Sequence, residues 1–263
     1  MGSLMSATTS GTKYLKRLRP LNAAAAALHA IQGVAILLLA NDFAVPLTTA
    51  LPGPGAMPGV PAAQYQIETT IEVAPLIAAF FFLSAIAHAL IVSPWIYPKY
   101  LANVKRGINW YRWVEYSLSA SIMIVVIGLI CGITDEPTLL ALFALNAAMI
   151  LFGWMMERHN QDTSSTKWHG FVFGSLVGIV PWAIIAWYFL TAAARIPEIP
   201  DFVPWILVNL FIFFNIFALN QFLQYRRVGK WKDYVYGEQA YIILSLLAKS
   251  ALAWQVFSGT LRG

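Results

Sequence analysis

The stretch Gly237-Glu238-Gln239-Ala240-Tyr241-Ile242-Ile243-Leu244-Ser245-Leu246-Leu247-Ala248-Lys249-Ser250-Ala251-Leu252-Ala253-Trp254-Gln255-Val256-Phe257-Ser258-Gly259-Thr260 decides how this chain is read. It exceeds the roughly 20 mostly apolar residues that cross a bilayer as a helix. Its one lysine, Lys249, stands near the middle. Six more runs of the same kind precede it: Leu21 to Asn41, Val73 to Ser93, Asn109 to Gly132, Pro137 to Met156, Trp168 to Ala192 and Phe202 to Tyr225. Barrel strands would be roughly 10-residue alternating segments, so these runs predict an all-α membrane protein, a seven-helix bundle. Pro20, Pro94, Pro137 and Pro204 fall at or near span edges, where a missing N–H costs little. Pro181 falls inside the fifth span and is expected to kink it.

Composition agrees. Of 263 residues, 59% are hydrophobic and 11% charged, and the mean hydropathy is +0.65. A soluble domain carries roughly 25% charge, so that class is excluded. The single cysteine, Cys131, excludes a disulfide scaffold and shows no metal-ligand spacing.

The basic residues are unevenly placed. Lys13, Lys16, Arg17 and Arg19 precede the first span, and Lys99, Lys105, Arg106 and Arg112 lie in or at the edge of the second connection. Arg158 and Lys167 lie in the fourth connection, and Arg226, Arg227, Lys230 and Lys232 in the sixth. Only Arg195 and Arg262 fall on the other side. The positive-inside rule then predicts a cytoplasmic N-terminus and an extracellular C-terminus. Residues 1–20 form the cytoplasmic segment, 21–260 the helical domain and 261–263 the extracellular end. Attraction to anionic lipid and topology setting account for the basic loops without a nucleic-acid partner.

The extracellular connection 42–72 has no Lys or Arg and holds Pro46, Pro52, Pro54, Pro58, Pro61, Gly53, Gly55 and Gly59. Phe43-Ala44-Val45 and Gln64-Tyr65-Gln66-Ile67 can pair as short strands around that middle. A loose loop and an ordered cap or subunit contact both remain open readings.

Lys249 is the one basic residue at membrane depth, where an ammonium costs roughly 2.5–3.5 kcal/mol on insertion scales. Glu115 in the third helix is the one carboxylate expected at comparable depth, the other Asp and Glu falling in loops or at helix ends. Two readings follow. One is a buried ion pair between the third and seventh helices, although such pairs are poor stabilisers once desolvation is counted. The other is a Schiff base on the lysine, with Glu115 as its fixed anion. Tyr116, Met123, Trp182, Phe213, Phe214 and Trp254 lie at span interiors and suit a long polyene, although each alone also suits ordinary packing.

Trp113-Val114-Glu115-Tyr116-Ser117-Leu118-Ser119 and Leu244 to Gln255 resemble the corresponding helices of heliorhodopsins. Asn41-Asp42-Phe43-Ala44, Ile150-Leu151-Phe152-Gly153-Trp154 and Gly178-Ile179-Val180-Pro181-Trp182 extend that resemblance, which runs to Ser258-Gly259-Thr260. It implies a rhodopsin-like bundle with all-trans retinal in the dark on Lys249, counterion Glu115, and Ser84 and Ser245 near the Schiff base. It also implies a homodimer and a slow photocycle that signals, through an unidentified partner, by conformational change. A pump needs a donor and an acceptor on opposite sides. Here the positions four and eleven after Glu115 are Ser119 and Val126, and the position four before Lys249 is Ser245, so pumping is not expected. An ion-coupled transporter or light-gated channel built on Glu115 and Lys249 is the alternative. No hydrolytic or phosphate-binding motif stands out, and no enzymatic activity is expected.

His29 lies nine residues past Pro20, about 13 Å along a helix. His88 lies six before Pro94 on a helix running the other way, so both fall in the cytoplasmic half. Each can simply bond a neighbouring helix. The polar, water-containing cavity that the resemblance implies instead gives His29, Gln32, His88, Tyr100, Asn109 and Glu238 a proton-holding role. Gly170, Gly174 and Gly178 put one glycine face on the fifth helix, for the dimer or for internal packing, with the dimer preferred. Asn146 is expected to hydrogen-bond within the bundle or near the chromophore.

Overall fold

The structure is a computed structural model and describes residues 9–52, 63–161, 163–195 and 202–262. Among these residues the chain runs α1 (Thr9–Leu39), β1 (Ala44–Pro52), β2 (Ala63–Glu72), α2 (Val73–Val92), α3 (Tyr97–Lys105), α4 (Trp110–Ile130), α5 (Glu136–His159), α6 (His169–Ala193), α7 (Phe202–Tyr225) and α8 (Tyr234–Val256). Seven of these helices, all but α3, are long and apolar enough to cross a membrane. They form an all-α bundle with a two-stranded hairpin between the first and second spans.

Polar side chains set several helix starts. Asn109 accepts from the Arg112 amide at 3.3 Å, Asp135 from the Thr138 amide at 3.0 Å, and Asp233 from the Val235 amide at 2.9 Å. Each satisfies an N–H that has no partner within the helix. At the other end of α4, Gly132 takes φ +86°, which a side chain would resist. The Ile133 amide then reaches Gly128 O and the Gly132 amide Leu129 O, closing the helix as a Schellman turn.

α1 starts twelve residues before the expected Leu21 and carries Pro20 inside it rather than at its edge. Lys16, whose carbonyl loses its bond there, is exposed, so the helix continues through the proline at little cost. α6 likewise runs unbroken past Pro181. The connection between the second and third spans folds into α3, with Pro98 in its first turn.

In the 42–72 connection, β1 and β2 pair antiparallel over their whole lengths, with a register shift at Leu47/Thr48. Ala44-Val45 and Gln64 to Ile67 lie in strands while Phe43 precedes β1, and the two expected segments do not pair with each other: Val45 faces Ile71 and Gln64 faces Leu51. The hairpin is docked. The Thr48 amide donates to Thr134 O at 2.9 Å, and the two threonine hydroxyls meet at 3.0 Å. The glycine- and proline-rich tip, Gly53, Pro54, Gly55, Pro58, Gly59 and Pro61, lies outside the described residues.

Around the bundle α8 packs on α1, α1 on α2, α2 on α4, α4 on α5 and α5 on α6, while α7 packs on α8. α6 and α7 are joined by aromatic side chains, Trp182 with Phe211 and Phe214 and Phe171 with Phe222, and not by close backbone packing. The main core sits toward the hairpin end, where Ile77, Phe80, Phe81, Ile124, Ile127 and Leu252 are buried together. The glycine face of α6 is used inside the molecule, against the preferred dimer reading. A Cβ on Gly170 would stand 2.9 Å from Met156 N and Phe152 O, and one on Gly174 3.2 Å from Met149 O. The absent side chains let α6 lie directly on the α5 backbone.

Candidate functional site

Lys249 and Ser245 are one turn apart on α8 and share a face. The Lys249 ammonium donates to Ser245 Oγ at 2.8 Å and to Glu115 Oε1 at 3.2 Å, and stands 5.1 Å from the centre of the Tyr116 ring. Glu115 also accepts from the Ser84 hydroxyl of α2 at 2.6 Å. The lysine and glutamate side chains are 3% and 6% exposed. Two charges so thoroughly desolvated persist only because each is paired and hydrogen-bonded. Ser119, one turn beyond Glu115, is buried on the same helix face.

A cavity of about 110 Å³ adjoins the lysine and is almost entirely apolar. Trp113, Tyr116, Met123, Phe214, Tyr241 and Lys249 are among its lining residues. A second space of about 210 Å³ lies between α6 and α7 and shares Met149, Gly153, Phe214, Ala218 and Gln221 with the first. Trp182 lines this second space, edge-on to Phe211 and Phe214 at 5.3 Å. An amine at the wall of an apolar, aromatic-lined cavity, with a second space sharing five of its lining residues, fits a covalently held polyene aldehyde.

Other expected residues stand further off. Phe213 packs against the main core. Asn146 donates to Ser121 Oγ at 3.1 Å, joining α5 to α4 away from the cavity lining. Trp254 is partly exposed and donates to Gln32 Oε1 at 3.0 Å, so Gln32 belongs to an α1–α8 contact and not to the inner polar group.

That inner group divides in two. The His29 and His88 rings stack at 5.8 Å with an interplanar angle of 9°, and His88 Nδ1 meets Asn22 Oδ1 at 2.7 Å. Both ring nitrogens of His29, and His88 Nε2, are buried with no partner among the described residues. Nearer the basic end, Tyr100, Asn109 and Glu238 surround an arginine. Glu238 accepts from Asn109 Nδ2 at 2.6 Å and from the Tyr100 hydroxyl at 3.3 Å, and pairs with Arg112. Burial, with the Glu238 carboxylate alongside, holds the Tyr100 phenol well above its usual range.

Arg112 and Glu157 escaped the sequence reading, which counted Arg112 among loop-edge charges, placed Glu115 alone at the depth of Lys249 and gave only Glu238 to the inner polar cavity. Both are buried within helices, and Arg112 pairs with Glu157 as well as Glu238. Glu157 also accepts from Trp113 Nε1 at 2.7 Å, the Tyr234 hydroxyl at 2.8 Å and the Asn109 amide at 3.0 Å. The available signal was an arginine three residues before Glu115 and flanked by Tyr111 and Trp113, an arrangement that favours a stacked cation over a solvated one.

Comparison with curated proteins gives no match. The profile of the heliorhodopsin family matches residues 18–261, nearly the whole chain. With seven membrane-spanning helices, a docked hairpin and a buried lysine–carboxylate pair beside an apolar cavity, the chain belongs to the heliorhodopsin family.

Proposed function

We propose that this light-sensing protein binds all-trans retinal in the dark as a protonated Schiff base on Lys249, with Glu115 as counterion. Retinal bound there supplies visible absorption and a fixed positive charge at the lysine nitrogen. The observation that carries this reading is the buried Lys249–Glu115 pair, 3.2 Å apart at the wall of an aromatic-lined cavity. Glu115 neutralises the cation, Ser84 stabilises the carboxylate, and Ser245 orients the nitrogen. Tyr116, Met123 and Phe214 line the near part of the chromophore site, and Trp182 its far part. Ser119 shares the Glu115 face of α4, Asn146 bonds Ser121 and Phe213 packs on the main core, so each acts on the chromophore site through a neighbour.

His29 and His88 hold a proton released from the Lys249 nitrogen. The unpartnered ring nitrogens support this role, because buried polar atoms without partners are uncommon. Tyr100, Asn109 and Glu238 form a second polar layer. Glu238 precedes Lys249 by eleven residues, about 16 Å along α8. The buried carboxylates among the described residues are Glu115, Glu157 and Glu238, so none of those described places a buried carboxylate on the hairpin side of Lys249. This supports a slow, conformational signal and not ion pumping. The basic end faces the cytoplasm, the protein is a homodimer, and its signalling partner meets the cytoplasmic loops.

Expression with all-trans retinal tests the reading. A visible band is expected in wild type and absent in Lys249→Ala; its persistence in the variant would overturn the assignment. Illuminating cells in weakly buffered medium is expected to give no sustained pH change, and a sustained one would overturn the signalling reading.

A further inference from the structure

Trp113 occupies a confined position. One edge faces the chromophore cavity. On another side is Gly153, where a Cβ would stand 2.5 Å from the Trp113 ring, so the α5 backbone is already in contact. A third side carries the Arg112 guanidinium, 4.6 Å from the ring centre, and the indole N–H is committed to Glu157 at 2.7 Å. A push from the cavity therefore cannot move this ring without disturbing Arg112 or Glu157.

Those two residues are set to respond. Arg112 is shared between carboxylates on two helices and lies 4.0 Å over the Tyr241 ring, another cavity wall. Its Nε has no partner among the described residues. Glu157 holds the start of α4 through the Asn109 amide and the start of α8 through the Tyr234 hydroxyl. One turn on, Gln161 donates to Gly107 O at 3.2 Å. Close backbone packing does not join α4 to α8, so long side chains make this connection.

We propose that Trp113 is a positioning residue that passes a change of shape in the chromophore cavity to Glu157, and through it to the loops of the basic end. The two-state element is Arg112, held by both carboxylates in one state and by Glu238 alone in the other. In the second state the starts of α4 and α8 lose their common anchor. The light-driven half of this inference rests on the chromophore reading above.

The test joins two arms. With retinal, Glu157→Gln keeps the dark visible band and changes the lifetime of the last light-activated state about tenfold, as loss of a charge-assisted hydrogen bond predicts. Trp113→Phe, which keeps a ring and loses the donor, shifts that lifetime in the same direction. The double variant adds nothing further if both act on one link. Multiplying effects, or an unchanged lifetime in Glu157→Gln, would overturn the proposal. Without retinal, amide hydrogen exchange at residues 107–110 and 233–236 rises about tenfold in Trp113→Phe. Unchanged exchange there would overturn the link itself, whereas a wild type lacking any visible band would overturn the chromophore reading.

Discussion

The Ser84 hydroxyl lies 2.6 Å from Glu115 Oε1, closer to that carboxylate than the 3.2 Å of Lys249. The same hydroxyl is 2.9 Å from Phe80 O, but it has one proton, and the charged oxygen is the stronger acceptor. Ser84→Ala leaves Glu115 short of one buried donor. The expected loss is about 1.5–3 kcal/mol of stability, read as earlier thermal unfolding in detergent.

Removing one member of the Lys249–Glu115 pair strands the other in an apolar interior. In the retinal-free protein, Lys249→Met is expected to cost about 3–5 kcal/mol. Adding Glu115→Gln should recover most of that loss, because no uncompensated charge remains. Denaturant or thermal unfolding of the two single variants and the double variant gives the answer; additive losses would contradict it.

Arg112 faces two carboxylates, so its loss and theirs are unequal. Arg112→Gln leaves two buried anions side by side and is expected to cost at least about 3–5 kcal/mol. Glu238→Gln leaves a balanced Arg112–Glu157 pair and is expected to cost less. Expression level and unfolding temperature should rank the variants in that order.

Gly170 lies so close to the α5 backbone that even a methyl group forces the helices apart. Gly170→Ala is expected to lower stability by about 1–3 kcal/mol while leaving the oligomeric state in detergent unchanged. A loss of dimer at unchanged stability would return the glycine face to the subunit interface.

Cys131 is 7% exposed, and burial pushes its thiol from 9.0 up to about 12. The unfolded thiol ionises at lower pH, so stability from the neutral thiol is complete below pH 9.0 and lost as pH climbs toward about 12. Thiol labelling at pH 8 is expected to run at least about a hundredfold slower in folded than in unfolded protein.

Hydropathy made the seven spans legible, because bilayer thickness demands apolar length and little else satisfies it. Lys249 and Glu115 were legible because isolated charges at that depth need a partner. Arg112 and Glu157 were not, since near a span edge a solvated charge and a buried one look alike until a third helix supplies Glu238. The hairpin register was hidden for a related reason. Strand segments can be seen locally, but the bulge at Leu47/Thr48 and the dock on Thr134 involve residues far apart in the chain. The three glycines showed that one face of α6 was narrow, yet only the neighbouring α5 backbone says what fills it.

The first and last spans are stitched together at the hairpin end. The Asn41 amide donates to Leu261 O at 2.9 Å, its side chain reaches Thr260 O at 3.2 Å, and Ala40 bridges Arg262. These partners lie about 220 residues apart, so their contact cannot form while the intervening helices are still leaving the ribosome. Assembly of this bundle therefore has a compulsory late step. α1 waits in the membrane with its α8 flank uncovered until α8 arrives, and only then does the lysine that α8 carries become sealed from lipid.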